Sequence, residues 1–225
     1  MKFSFAASPE GFDQHIDNSI RGFRDLHSDI IQVSPYFIQE ETAVLDVGAS
    51  SGRLLRSLVE QNSETEGVDY WAIEIEETFA PELLHLADEH PSVRVHLRDV
   101  TELAFDPTSF AVLVFTLQFM APSKARQTLQ RIHDALVPGG AVVIAEKVFL
   151  DDSHFHDIFR SLHYSWKCQH FSPEEIMAKE WELRSMLFLR TRDQLMQELR
   201  DVGFDDHKVQ IFWQNHNFLA VAARK

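Results

Sequence analysis

The sequence predicts an α/β fold: a mostly parallel sheet with helices on both faces, closed by an antiparallel hairpin. Three observations predict it. From Ala43 onward, short apolar runs alternate with amphipathic segments, as in strand–helix–strand units. The first run, AVLDV, enters the turn Gly48–Ala49–Ser50–Ser51–Gly52 directly, and a helical pattern follows it. Near the end, HKVQIFWQ and NFLAVAAR are two strand-like runs joined by Asn215–His216, a hairpin.

Residues 10–38 read as helical, with Phe12, Ile16, Ile20, Phe23 and Leu26 spaced by three and four. AVLDVG is the first strand and SGRLLRSLVEQ a helix. DYWAIEI is the second strand and ETFAPELLHLADEH a helix. SVRVHLRD and the very apolar FAVLVFTLQF are the third and fourth strands. SKARQTLQRIHDAL is a helix stopped by Pro138–Gly139–Gly140, and AVVIAEKVFL is the fifth strand. Residues 151–189 read as helical and rich in aromatic residues and His. A last helix over 191–202 stops at Gly203, and the hairpin brings the strand count to seven. Right-handed crossovers are expected throughout. This layout is similar to the Rossmann-like fold of class I S-adenosylmethionine-dependent methyltransferases.

Composition narrows the function. Asp and Glu number 35 against 21 Lys and Arg, a net charge of −14. That disfavours a nucleic-acid partner, whose phosphates would be repelled, but not a small anion in a local basic pocket. The single cysteine, Cys168, forbids an intrachain disulfide and suits a reducing cytoplasm. No apolar run reaches the roughly 18 residues of a membrane span, and MKFSFAASPEGF is too short an apolar stretch for a secretory signal.

The glycine-rich turn carries the chemistry. In Asp46–x–Gly48–x–Ser50–x–Gly52, Gly48 permits a sharp exit from the strand and Gly52 lets the next helix pack closely, with no Cβ between it and a bound cofactor. The free N–H groups of that helix face a polar or anionic ligand group. Asp46 can accept from a ligand amino group, directly or through water. Glu74, at the end of the second strand, can take both hydroxyls of a ribose. Asp99, ending the third, suits an adenine amino group, and the Val100 N–H a ring nitrogen. Three acids at successive strand ends point to one crevice at the carboxyl edge of the sheet; solvated loop acids and helix caps are the alternative. A dinucleotide would need a second glycine-rich turn, and none is present. One domain is expected over residues 1–225, with a helical segment at 1–40, a nucleoside-binding core at 41–150, a helical cover at 151–202 and a closing hairpin at 203–225.

DVGASSG, VFTLQFMAPSKA, PGGAVVIAEK, FSPEEI, VGF and FWQNHNF carry a closer resemblance. From about Phe12 to Ala222 the chain resembles the carboxy-S-adenosylmethionine synthases. That family converts S-adenosylmethionine and prephenate to the carboxy derivative and phenylpyruvate, for use in tRNA wobble modification. The resemblance implies S-adenosylmethionine as cofactor, with Gly48, Ser50, Glu74, Asp99 and Val100 lining the nucleoside site and Phe23 lying over it. It also implies a homodimer. Three positions depart from the family pattern. Phe23 stands where Tyr is usual, and Val114 where Asn is usual. Glu198 stands where an Arg pairs with the added carboxylate. A carboxylate facing a carboxylate is repulsive, and Arg190, Arg192 and Arg200 are displaced from that position. A small-molecule methyltransferase is therefore expected ahead of carboxy-derivative synthesis; a non-catalytic protein retaining the fold is the alternative from another class.

Other constellations are less specific. His154 and His156 in DDSHFHD point to different faces of a helix, so no metal is expected. Lys147, after Glu146 at the end of the fifth strand, reads as an ion pair or as a cation for the second substrate. His163, Tyr164, Trp166, His170 and Phe171 form either a substrate wall or a seam between cover and sheet.

Overall fold

The computed structural model describes residues 11–225. The MKFSFAASPE stretch, and with it the reading of the N-terminus, lies outside the described residues. Two helices, α1 (Phe12–Ser19) and α2 (Phe23–Val33), lead into a short 3-10 turn. The alternating core comprises β1 (Ala43–Val47), α3 (Arg53–Gln61), β2 (Asp69–Glu74), α4 (Ala80–Glu89), β3 (Val93–Leu97), β4 (Thr108–Val114), α5 (Pro122–Ala135) and β5 (Leu136–Phe149). Next come α6 (Ser153–Lys167), α7 (Pro173–Arg184), the two-residue β6 (Arg190–Thr191) and α8 (Arg192–Asp201). The strands β7 (Val209–Asn215) and β8 (Phe218–Arg224) end the fold.

The sheet runs β3-β2-β1-β4-β5-β8-β7, with β6 added beside β5. β1 to β5 pair in parallel, and β8 runs antiparallel to both β5 and β7. Seven strands thus form the expected path; β6 is too short to stand out in sequence. Its alternating side chains fill two cores. Val44, Phe110, Val112, Val143 and Ala220 pack with Leu26, Leu55 and Leu83 on one face. Leu45, Leu113, Ile144 and Val221 pack with Leu129, Ile132 and Leu199 on the other. Burial on both faces explains why these strands read as continuous apolar runs.

Some expected boundaries shift. The 10–38 helix is two helices, because Gly22 takes a left-handed φ of 79° between them. The 151–189 segment breaks before the Ser172–Pro173 cap of α7 and is non-helical after Ser185. The fourth strand stops at Val114, where Phe115 turns left-handed with φ 57°. The helix before Pro138 ends at Ala135, and Pro138–Gly139–Gly140 belongs to the start of β5.

Candidate active site

β1 lies between β2 and β4, where the strand order reverses. At such a switch point the loops leaving the two central strands diverge and open a crevice. Gly48, with φ 81°, turns the chain out of β1, and its N–H donates to the Ile73 carbonyl at 2.8 Å. A Cβ here would overlap the Thr116 side chain beyond β4, so glycine lets the two loops touch. Gly52 has a different role from close approach to a ligand. A Cβ there would lie 2.9 Å from Leu86 Cδ2, so this glycine seats α4 against the loop. Ser50 is left-handed without being glycine (φ 49°), and its N–H donates to Glu74 Oε2 at 2.9 Å. Ser50 and Phe115 are two of four non-glycine residues with positive φ among the described residues. Both lie on the same cavity, and such strain concentrates at functional sites.

That cavity holds about 820 Å³, within the usual range of ligand sites. Phe23, Asp46, Gly48, Ser50, Glu74 and Val114 all line it. Asp46 is buried and its Oδ2 has no hydrogen-bond partner. Burial, then the nearby Glu74 carboxylate, pushes its pKa up to about 7. Glu74 is held rigidly: Oε1 accepts from the N–H groups of Ile75 (2.8 Å) and Glu76 (2.9 Å), while Oε2 takes Ser50. Three bonds leave acceptor capacity on the two oxygens.

Gly52, Asp99 and Val100 do not line the cavity. Asp99 caps its own turn, accepting from the Thr101 N–H and hydroxyl, and pairs with Lys124. Burial opposes its charge, but the Lys124 and Thr101 bonds outweigh that and hold its carboxyl below the usual range.

At another part of the wall stand Lys147, Lys167, Lys179, His15 and His163, with Glu180. Lys147 Nζ is 3.5 Å from Glu180 Oε1, and the Tyr164 hydroxyl bonds the same carboxylate. Burial, partly offset by Glu182 and reinforced by Lys167, pulls Lys179 down to about 8. Burial and the lysines pull His163 down to about 3, so it is neutral. In a chain of net charge −14, this is a local concentration of cations. Lys147 thus has both expected features, an ion pair and a place on the wall. Of the aromatic cluster only His163 lines the cavity, its ring tilted against Phe218 with centroids 5.0 Å apart. His15, Lys167, Lys179 and Arg53 gave no sequence signal. They come from α1, α6, α7 and the start of α3, which only the fold brings together.

Glu198 departs from the expectation of a carboxylate facing a ligand. Neither it nor Arg190 lines the cavity. Arg190, 5% exposed, donates through Nε to Glu198 Oε2 (2.8 Å) and through Nη1 to the fully buried Glu146 (3.1 Å). Arg192 pairs with Asp193 and Arg200 with Asp206.

Comparison with known proteins agrees with this architecture. Residues 44–140 match the methyltransferase domain family. The carboxy-S-adenosyl-L-methionine synthase of Pseudomonas syringae pv. syringae is 31% identical over 220 residues, covering 94% of this chain and 88% of the relative. The chain belongs to the carboxy-S-adenosyl-L-methionine synthase family. The family's Staphylococcus epidermidis member is 24% identical, with 95% and 92% covered. Among solved structures, a Burkholderia thailandensis 1,6-didemethyltoxoflavin-N1-methyltransferase superposes with a TM-score of 0.61 at 23% identity, covering 96% of this chain and 82% of that one. The fold of this family member is thus that of class I methyltransferases.

Proposed function

We propose that this family member is a transferase that binds S-adenosylmethionine at the carboxyl edge of β1, β2 and β4 and passes its methyl group to an anionic small molecule. The observation that carries this is one cavity with two chemistries. Asp46 has an unpartnered oxygen, suited to the cofactor's ammonium, and Glu74 has spare acceptor capacity, suited to ribose hydroxyls. Phe23 and Val114 supply apolar wall. The sequence positions of Gly52, Asp99 and Val100 support the nucleoside end, although these residues stand off the cavity wall. The solved Burkholderia methyltransferase holds S-adenosylhomocysteine, which agrees with this choice of cofactor. Lys147, Lys167 and Lys179 supply the charge for an anionic acceptor.

The bound cofactor supplies an electrophilic methyl on a sulfonium. The chain's part is to align the acceptor with that methyl and to exclude water, which needs no acid–base dyad. The second reading is carboxy-derivative synthesis, the activity in the relatives' name. It is favoured by family membership, but the resemblance sets Glu198 at the arginine-bearing position, and Glu198 faces Arg190. Incubation with S-adenosylmethionine and prephenate, followed by mass spectrometry, separates the two: a carboxy product supports the second reading and overturns the first. A single domain, a homodimer and a cytoplasmic location complete the proposal.

A further inference from the structure

Arg53 is the first residue of α3, which has no acid in its first turn. A cation there opposes the helix dipole, so local helix physics does not explain it. It lines the cavity beside Ser50 and Ser51, and its guanidinium lies 5.3 Å from the centre of the Phe23 ring. A guanidinium has two edges that can each grip a carboxylate with a pair of N–H groups. Asp17 occupies the terminal edge, at 3.1 Å from Nη1 and 3.0 Å from Nη2. Arg24 holds Asp17 from the other side. Burial pushes the Asp17 carboxyl upward, and the two arginines outweigh it, so the carboxyl stays charged below the usual range. The other edge makes no hydrogen bond through Nε, which is buried. Asp13 forms only a long ion pair with Nε, at 3.8 Å, its Oδ1 accepting from the Ser51 hydroxyl at 2.7 Å. A buried donor left open in a fixed fork is an incomplete site.

We propose that the Nε edge of Arg53, which makes no hydrogen bond in the chain, binds the carboxylate at the amino-acid end of the cofactor in place of its long contact with Asp13. This rests on the S-adenosylmethionine reading above. Asp17 fixes the fork from behind, Phe23 holds its plane, and the N-terminus of α3 adds its dipole. The ammonium on the same carbon of the ligand would then fall to Asp46. Arg53 is thus a binding residue that tells an intact amino-acid tail from one without its carboxylate.

The test is calorimetric titration with S-adenosylmethionine and with its decarboxylated form. One charge-assisted bidentate contact should give the wild type a preference for the intact cofactor of about 10- to 100-fold. In Arg53→Gln that preference should fall to about threefold or less, with affinity for the decarboxylated compound unchanged. Arg53→Lys, which keeps the charge and loses the fork, should retain only part of it. If the Gln variant shows no cooperative unfolding transition, the Lys variant carries the comparison. A preference that survives substitution overturns the inference, as does an equal loss for both ligands. A wild type that binds both ligands equally overturns it while leaving the cofactor reading intact. A wild type that binds neither overturns the cofactor reading and the inference with it.

Discussion

Arg190 Nε donates to Glu198 Oε2 at 2.8 Å, and the same guanidinium holds Glu146, which is wholly buried. Removing the cation strands two carboxylates, one without access to water. Arg190→Met should destabilise the fold by about 3–5 kcal/mol in urea unfolding, the cost of breaking a buried pair from one side. Adding Glu146→Gln to Arg190→Met should recover part of that loss. No recovery would mean that Arg190 acts by packing rather than charge.

The same contact bears on chemistry. With Glu198 committed to Arg190, no guanidinium from α8 lines the cavity. No carboxy product is expected from S-adenosylmethionine and prephenate. The measurement is the mass of the cofactor pool after incubation; turnover to the carboxy form would place the lysines in the role that the family pattern gives to an arginine.

Asp46 makes a pH prediction. Its pKa rises from 3.8 to about 7 on burial. Between those values the folded chain holds a proton that the unfolded chain has lost. Stability therefore falls as pH rises from about 4 to 7, by up to about 1.4 kcal/mol per pH unit. Glu146, also raised to about 7 by burial despite Arg190, acts in the same direction. Asp46→Asn should flatten its own share of the slope. Cofactor affinity should rise with pH through 7 in the wild type, because an ammonium prefers the ionised carboxyl, and should lose that rise in Asp46→Asn.

Gly48→Ala tests the switch point. The new methyl would meet Thr116 at a backbone φ of 81°, and strain with overlap should cost about 1–3 kcal/mol. Thr116→Ser, added to Gly48→Ala, should recover only part of that loss, since serine keeps the Oγ nearest the new methyl and the backbone strain remains.

The dimer is expected along α6, where Phe155, Ile158 and Leu162 are exposed at helical spacing. Light scattering should give twice the 26.0 kDa chain mass, and Leu162→Glu should give the monomer. A wild-type monomer at micromolar concentration would remove this assembly.

Much of the fold was legible because its signals are local. AVLDVG, the helix after it and Glu74 lie close in sequence, and hydrophobic period separates strand from helix. Asp46, Gly48, Ser50 and Glu74 were therefore visible, and they do share a wall. Other features depend on chain packing that periodicity does not encode. Asp99 looked equivalent to Glu74 until Lys124, 25 residues on, claimed it. Glu198 looked like a ligand-facing residue because its partner, Arg190, eight positions away, is recruited by the fold together with Glu146, 52 positions from Glu198. Lys167 and Lys179 sit on helices whose polar residues read as ordinary solvated faces.

The proposed chemistry stands on S-adenosylmethionine binding in this cavity at the carboxyl ends of β1 and β2. Calorimetric titration of the wild type and of Glu74→Gln tests it most directly. The expected result is saturable binding to the wild type, weakened about 10- to 100-fold in the variant by loss of charge-assisted bonds to the ribose. No heat of binding in the wild type, or equal affinity in the two proteins, would contradict it.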